Sequence, residues 1–284
     1  MAADAGAIDT EIVYLARDEK YATEKPFTMA FSVDDVPEAA VDNHIWEAHP
    51  VQIGNARDGI NPELDTHGFQ FVPWETALER ADFEFDEIII TRYYAELAKL
   101  VKAHFPRYKK VAFFNYAIRR RDARYPAAKG AETEAAQPFR FAHVDYTETG
   151  AKLKLQESLG TGAEERLKNK CDVLNIWRLL NDSPTKDWPL ALCDYRSIDA
   201  DRDLIANDIV YQTGLGEDCF LHYNREHRWW YLADQSPKET IIFRNVCIAD
   251  SAMARGFHCA FANPAPDGQD VLRESIEVRL AAFY

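Results

Sequence analysis

The chain has 284 residues, of which 47% are hydrophobic and 12% aromatic, enough to bury a sizeable core and to exclude a disordered reading. A formal net charge of −14 argues against a nucleic-acid binder, which needs clustered Lys and Arg to neutralise phosphates. No apolar run approaches the roughly 18 residues of a membrane span, and Met1-Ala2-Ala3-Asp4-Ala5-Gly6 lacks a signal peptide's charged start and apolar stretch. Cys171, Cys193, Cys219, Cys247 and Cys259 form no CxxC pair and are odd in number. Reduced, buried, structural thiols are therefore expected, in a cytoplasmic protein.

Scattered prolines (Pro26, Pro37, Pro50, Pro62, Pro73) and short apolar runs predict extended segments and loops at the start of the chain. From Asp86 to about His104, Ile88, Ile89, Tyr93, Leu97, Leu100 and Val101 recur at helical spacing, and Pro106 stops the helix. Short β-prone runs begin with Val111–Ile118 and Phe139–Tyr146. A Glu/Lys-rich helix is expected over about Gly162 to Lys170. The β-prone texture resumes in Val173–Leu180, Leu190–Tyr195, Ile209–Tyr211, Trp229–Leu232, Thr240–Val246, Phe257–Phe261 and Ser275–Phe283. Turn clusters separate them: Asn181-Asp182-Ser183-Pro184, Gly214-Leu215-Gly216, Gln235-Ser236-Pro237 and Asn263–Gly268. The Ala/Glu stretch Lys129–Gln137 is expected to be a loop. Many short strands backed by a helix predict a sandwich or barrel. The basic run Arg119-Arg120-Arg121 with Arg124 is expected to be a solvated strand end, with a clamp for an acidic group as the functional alternative.

Chemistry concentrates in Phe141-Ala142-His143-Val144-Asp145-Tyr146. On a strand, His143 and Asp145 point to one face, so imidazole and carboxylate converge on one ion. The third ligand must come from elsewhere, and His258 is the candidate. Two His and one carboxylate on one side of a metal leave the opposite positions open, an arrangement suited to non-haem Fe(II), a co-substrate and O2. Beyond His258, Arg273 and Ser275 share a face of the final predicted strand. A guanidinium fork with a hydroxyl suits the distal carboxylate of 2-oxoglutarate. The ordered set HxD, then His, then RxS is far more specific than any of its parts.

These motifs resemble the gibberellin-desaturase-like, CmcJ-like and AsaB-like group of oxygenases, many of them in fungal secondary metabolism. The likeness runs through Tyr21–Pro26, Ile118-Arg119-Arg120-Arg121, His143–Thr147, Asn175-Ile176-Trp177-Arg178, Pro189–Asp194, His258–Phe261 and Arg273–Arg279. It implies one oxygenase domain over 1–284: N-terminal extended segments and a supporting helix over 1–109, then a core over 110–284. The fold would be mainly β with flanking helices, a double-stranded β-helix (jelly roll, cupin-like). It implies Fe(II), 2-oxoglutarate and O2, and hydroxylation or desaturation of a small, secondary-metabolite substrate. Residue by residue, His143, Asp145 and His258 match the metal triad, and Arg273 and Ser275 the 2-oxoglutarate clamp. One departure is Leu179, where relatives usually have proline.

Other residues are expected nearby. Asn175 and Trp177 share a face of Val173–Leu180 and are candidates for contacting co-substrate or substrate, with Trp177 as plain core the competing reading. Arg178 points the other way, toward a structural ion pair. Tyr146 is a candidate to orient Asp145. Arg279 is either a partner of Glu277 or the true clamp in place of Arg273. His222 and His227 are expected at the surface, and Trp229-Trp230-Tyr231 in the core. The rival functions are a metal-dependent hydrolase or isomerase on the same ligands and a non-catalytic jelly-roll binding protein. The first leaves the RxS pair unexplained, and the second is disfavoured by a full set of ligands. No nucleic-acid or membrane partner is expected, and oligomeric state is open.

Overall fold

The structure, a computed structural model, describes residues 6–33, 35–127, 133, 135–264 and 271–284. Residues 129–132 and 134 of the Ala/Glu stretch, and 265–268 of the turn expected after Asn263, lie outside the described residues. In chain order the strands are β1 (Ile8–Leu15), β2 (Phe27–Met29), β3 (Trp46–Asn55), β4 (Phe69–Pro73), β5 (Lys110–Arg120), β6 (His143–Val144) and β7 (Cys171–Leu179). There follow β8 (Leu190–Cys193), β9 (Leu204–Tyr211), β10 (Gly214–Leu221), β11 (Trp229–Tyr231), β12 (Glu239–Ile248), β13 (His258–Ala260) and β14 (Glu274–Phe283). The helices are α1 (Leu64–His67), α2 (Asp86–Ile88), α3 (Tyr94–His104), α4 (Glu148–Leu159) and α5 (Ala163–Leu167).

Two sheets face each other, one in the order β4-β12-β7-β14-β5 and one in the order β1-β3-β11-β8-β13-β6-β10-β9-β2. Alternation along the strands of the first sheet separates its faces. Leu174, Ile176, Ile242, Ile276, Val278 and Leu280 point outward, packing with Ile89, Tyr93, Leu97 and Val101 of the predicted helix. That helix runs from α2 to α3 through a π-turn at Ile89–Tyr93, a local widening that periodicity does not reveal. The other face of the sheet carries Asn175, Trp177, Ser275, Glu277 and Arg279, turned toward β6 and β13 of the second sheet. The chain is a double-stranded β-helix, mainly β with flanking helices. Among the described residues no helix is long and apolar enough to cross a membrane. All five cysteines are buried and free.

Several expected elements change. Only His143–Val144 of Phe139–Tyr146 and His258–Ala260 of Phe257–Phe261 enter ladders, because the flanking residues leave the sheet at the rim of the site. Ile209–Tyr211 lengthens to β9, and the Gly162–Lys170 helix shortens to α5. Gly214-Leu215-Gly216 is not the turn. The chain reverses at residues 212–213 and the glycines open strand β10, where Gly216 leaves room for the Tyr211 ring. Helix α4 was not expected, since Gly150 in its first turn weakens the helical pattern. The glycine is required by packing: a Cβ there would lie 1.9 Å from the Glu217 carbonyl oxygen of β10. Thr147 caps the helix by accepting from the Gly150 N–H at 3.1 Å. We therefore predict that Gly150→Ala lowers stability by roughly 1–3 kcal/mol, read as a shifted urea midpoint. An unchanged midpoint would show that α4 does not need this close approach.

Candidate metal and co-substrate site

The local register of the second sheet builds the cluster. His258 of β13 lies opposite His143 of β6, so the two imidazoles are cross-strand neighbours with ring centroids 4.2 Å apart. Asp145 follows two residues after His143 on the same face. One ligand atom from each of the three lies within 4.8 Å of the others. Both histidines are buried, at 6% and 3% exposure.

Hydrogen bonds fix which atoms face one another. His143 Nδ1–H donates to the Phe141 carbonyl at 2.9 Å and lies 3.0 Å from that of His258. His258 Nδ1–H donates to the Gly256 carbonyl at 3.0 Å. Carbonyls only accept, so each ring carries its proton on Nδ1 and presents a bare Nε2. Asp145 is divided in the same way. Its Oδ2 accepts from Asn175 Nδ2 and from Arg279 Nε, both at 2.7 Å, while Oδ1 turns toward His143 Nε2 at 3.2 Å. Two imine nitrogens and one carboxylate oxygen are left converging, a donor set that fits a borderline divalent ion such as Fe(II).

The surroundings hold this geometry. Asn245 Nδ2 donates to Asn175 Oδ1 at 2.6 Å, and Asn245 Oδ1 accepts from the Asp145 N–H at 3.1 Å, closing a ring of amides around the carboxylate. Asn245 sits where the β12–β7 register shifts, a bulge that re-aims its side chain. Burial opposes charge on Asp145, but the Arg279 guanidinium outweighs it and holds the carboxyl well below its ordinary range. Arg279 also donates to Glu277, whose own carboxyl is raised by burial.

A recess opens beside the cluster, lined by Arg119, Phe139, Trp177, Leu190, Arg273 and Glu277. Arg273 is almost fully buried, its guanidinium 5.6 Å from the Trp177 ring centroid, and it donates to the Trp188 carbonyl. Burial, and then the neighbouring Arg119 charge, pulls it below its ordinary value to about 9, so it stays charged at neutral pH. Arg273 Nε and Ser275 Oγ are buried without a hydrogen-bond partner among the described residues. Buried polar atoms are rarely left so. A free guanidinium Nε–H beside an unfilled hydroxyl suits a carboxylate such as that of 2-oxoglutarate.

The other expected residues fall in several places. Trp177 borders the recess, whereas Arg279 does not, being engaged with Asp145 and Glu277. Tyr146 lies outside the recess, packed against Phe114 and the cluster beneath α4, and it makes no hydrogen bond to Asp145. Arg178 does turn outward, but it forms no ion pair among the described residues. Its guanidinium covers the Phe83 ring at 5.5 Å and Nε donates to the Leu179 carbonyl. Leu179 itself stays in the ladder opposite Ser275. His222 and His227 are not at the surface. His222 Nδ1 bonds the Leu15 carbonyl and His227 Nε2 the buried Asp203, so they serve packing. Within the basic run, Arg120, Arg121 and Arg124 pair with Glu84, Asp187 and Asp122, as a strand end would, but Arg119 turns into the recess. Sequence reasoning favoured the surface reading for the whole basic run, with a clamp only as its alternative and Arg119 not singled out, and it missed Asn245. The latter's only signal is an amide amid the apolar run of β12.

A jelly roll with two imidazoles and a carboxylate converging on one open side has the form of a non-haem oxidoreductase. The family model described as "Oxidoreductase/YMDC permease-like domain" matches residues 12–283, and the chain belongs to this family. Its relatives include the Fe(II)/2-oxoglutarate-dependent dioxygenase nvfI of Aspergillus novofumigatus, 29% identical over 89% of this chain and 90% of that protein. They also include the hydroxylase/desaturase efuI of Hormonema carpetanum, 28% identical over 84% of this chain and 85% of that one. A solved structure of a variant of the iron and alpha-ketoglutarate-dependent endoperoxidase NvfI superposes with a TM-score of 0.85 at 26% identity, covering 100% of this chain and 99% of that chain.

Burial, reinforced by the nearby His143, lowers the His258 pKa to about 3, well below the roughly 6.5 of an unfolded histidine. The unfolded chain therefore takes up a proton below pH ~6.5 that folded His258 refuses. This residue's contribution to stability must fall with pH from about 6.5 toward 3, by up to ~1.4 kcal/mol per pH unit. We predict that His258→Gln flattens the decline of metal-free stability between pH 7 and 5 in urea titrations. Parallel wild-type and variant curves would contradict it.

Proposed function

We infer that the chain is an Fe(II)/2-oxoglutarate-dependent dioxygenase that hydroxylates or desaturates a small molecule of secondary metabolism. The observation that carries this reading is the pairing of one converging His/Asp/His donor set with an unsatisfied buried Arg/Ser pair across the same recess. Together they account for a metal and for an anionic co-substrate. A hydrolase or isomerase would use the first and leave the second without purpose. The reading treats 1–284 as one oxygenase domain. Five buried free thiols support a reducing, cytoplasmic setting.

In this reading His143 Nε2, His258 Nε2 and Asp145 Oδ1 hold iron. When bound, iron with 2-oxoglutarate and O2 supplies the oxidising power for C–H cleavage, leaving succinate and CO2. The rest of the work belongs to the chain. Asn175 and Arg279 keep Asp145 Oδ2 occupied, so the carboxylate offers a single oxygen. Arg273 and Ser275 orient the co-substrate through its far carboxylate. Phe139, Trp177 and Leu190 narrow the recess and exclude water from the reacting C–H bond.

The test is aerobic incubation of iron-loaded protein with 2-oxoglutarate, following succinate. Wild type should form it, Asp145→Ala should not, and Arg273→Ala should need far more 2-oxoglutarate, since a charge-assisted bond worth about 1.5–3 kcal/mol is lost. No succinate from iron-loaded wild type would refute the assignment. Trp177 supplies a second prediction. As a wall of the recess, its replacement by Ala should uncouple succinate from product, because the C–H bond is no longer held in place. As plain core it would cost about 3–5 kcal/mol and leave the ratio intact. A destabilised but fully coupled variant would remove Trp177 from the substrate wall.

A further inference from the structure

Two guanidinia of the recess have no carboxylate within ion-pair distance among the described residues. Arg279 is taken up by Asp145 and Glu277, and Arg121 by Asp187. Among the described residues, Arg119 and Arg273 form no ion pair. Arg119 Nη1 donates to the Gln137 carbonyl at 2.7 Å, and Arg273 donates to that of Trp188. Both line the same recess. The register of β5 against β14 places Arg119 directly opposite Ser275, whose hydroxyl has no partner, with Arg273 two residues along the same face. Burial disfavours both charges, Glu277 offsets this in part at Arg119, and each guanidinium also feels another nearby, Arg273 that of Arg119 and Arg119 that of Arg279. Like charges gathered at one end of a buried recess are a standing cost that an anion there relieves.

We propose that Arg119 is a second cationic arm of the co-substrate site, so that the distal carboxylate of 2-oxoglutarate lies between Arg119 and Arg273 and accepts from Ser275. The proposal rests on the dioxygenase reading and extends it to a residue that the RxS motif does not contain. Its effect is specificity. Two guanidinia facing one carboxylate select 2-oxo acids with a second acid group over otherwise similar monoacids. The competing structural role is that Arg119 offsets Glu277, which borders the same recess.

The experiment uses the full chain loaded with redox-inert Zn(II). Calorimetric titration compares 2-oxoglutarate with 2-oxovalerate, which has the same carbon chain without the distal carboxylate. Wild type should prefer 2-oxoglutarate. Arg119→Gln should weaken 2-oxoglutarate about tenfold or more while changing 2-oxovalerate about twofold at most. Arg119→Lys, which keeps the charge but loses the planar fork, should fall between and serves as the measured variant if Arg119→Gln does not fold. An unchanged preference in the variant overturns the proposal, including the case where only the Michaelis constant of an acidic substrate rises. Equal loss of both ligands with a lowered melting temperature, reversed by adding Glu277→Gln, also overturns it and assigns Arg119 to Glu277. A wild type that binds both acids equally overturns the co-substrate reading itself, and the role of Arg119 with it.

Discussion

The carboxylate of Asp145 is buried where the two sheets meet, and its ion pair with Arg279 ties one sheet to the other. An isolated charge at such depth would be neutralised, because desolvation costs more than any ordinary hydrogen bond returns. Arg279 keeps it ionised, yet Arg279 is itself buried and needs more than one partner, which Glu277 and Asp145 supply together. The pair therefore constrains backbone as well as charge. Moving β14 by one residue would bring Val278 or Leu280 to the place of Arg279 and leave Asp145 without its cation. Both irregular points of the first sheet lie at this level. One is the shift between Arg279 and Leu280 against β5, the other that between Arg244 and Val246 against β7. They are the local distortions through which Arg279 and Asn245 both reach one carboxylate.

Charge in the recess follows from this arrangement. Arg279 is used up on two carboxylates, so the positive charge left over is that of Arg119 and Arg273. A protein with a formal net charge of −14 repels a dianion over most of its surface. The surplus of guanidinium is local, walled by apolar side chains, where the effective dielectric is low and each charge acts at greater strength than in water. Affinity for an anionic co-substrate is thus compatible with the acidic composition. In the proposed site it rests on two side chains rather than on the surface as a whole.

Much of this was legible in the sequence because it rests on period and order. The i, i+2 spacing of His143 and Asp145, the distant His258, and the shared face of Arg273 and Ser275 are one-dimensional facts with a direct geometric meaning. The split of Ile176 from Trp177 by strand alternation is another, and it separates outer core from recess. What stayed hidden depends on neighbours. Arg119 sits in a run whose other members pair at the surface, and only the β5–β14 register distinguishes it. Helix α4 was obscured by Gly150, a poor helix residue kept because a backbone carbonyl occupies the place of its side chain. His227 read as a surface histidine because Asp203, its buried partner, is remote in sequence.

The two ends of the recess differ in a way that bears on what each accepts. Beside Arg273, Trp177 lies under the guanidinium, a contact that uses none of its N–H groups, while Nη1 donates to the Trp188 carbonyl. At the His143 end the neighbours are rings. Phe139 stands edge-on to His143 at 4.5 Å and to Phe141 at 5.2 Å, and Phe141 stacks on Trp46 at 4.0 Å. Such a wall has little to offer an anion and much to offer an apolar skeleton. The recess therefore offers guanidinia to an acidic group and ring faces to an apolar one.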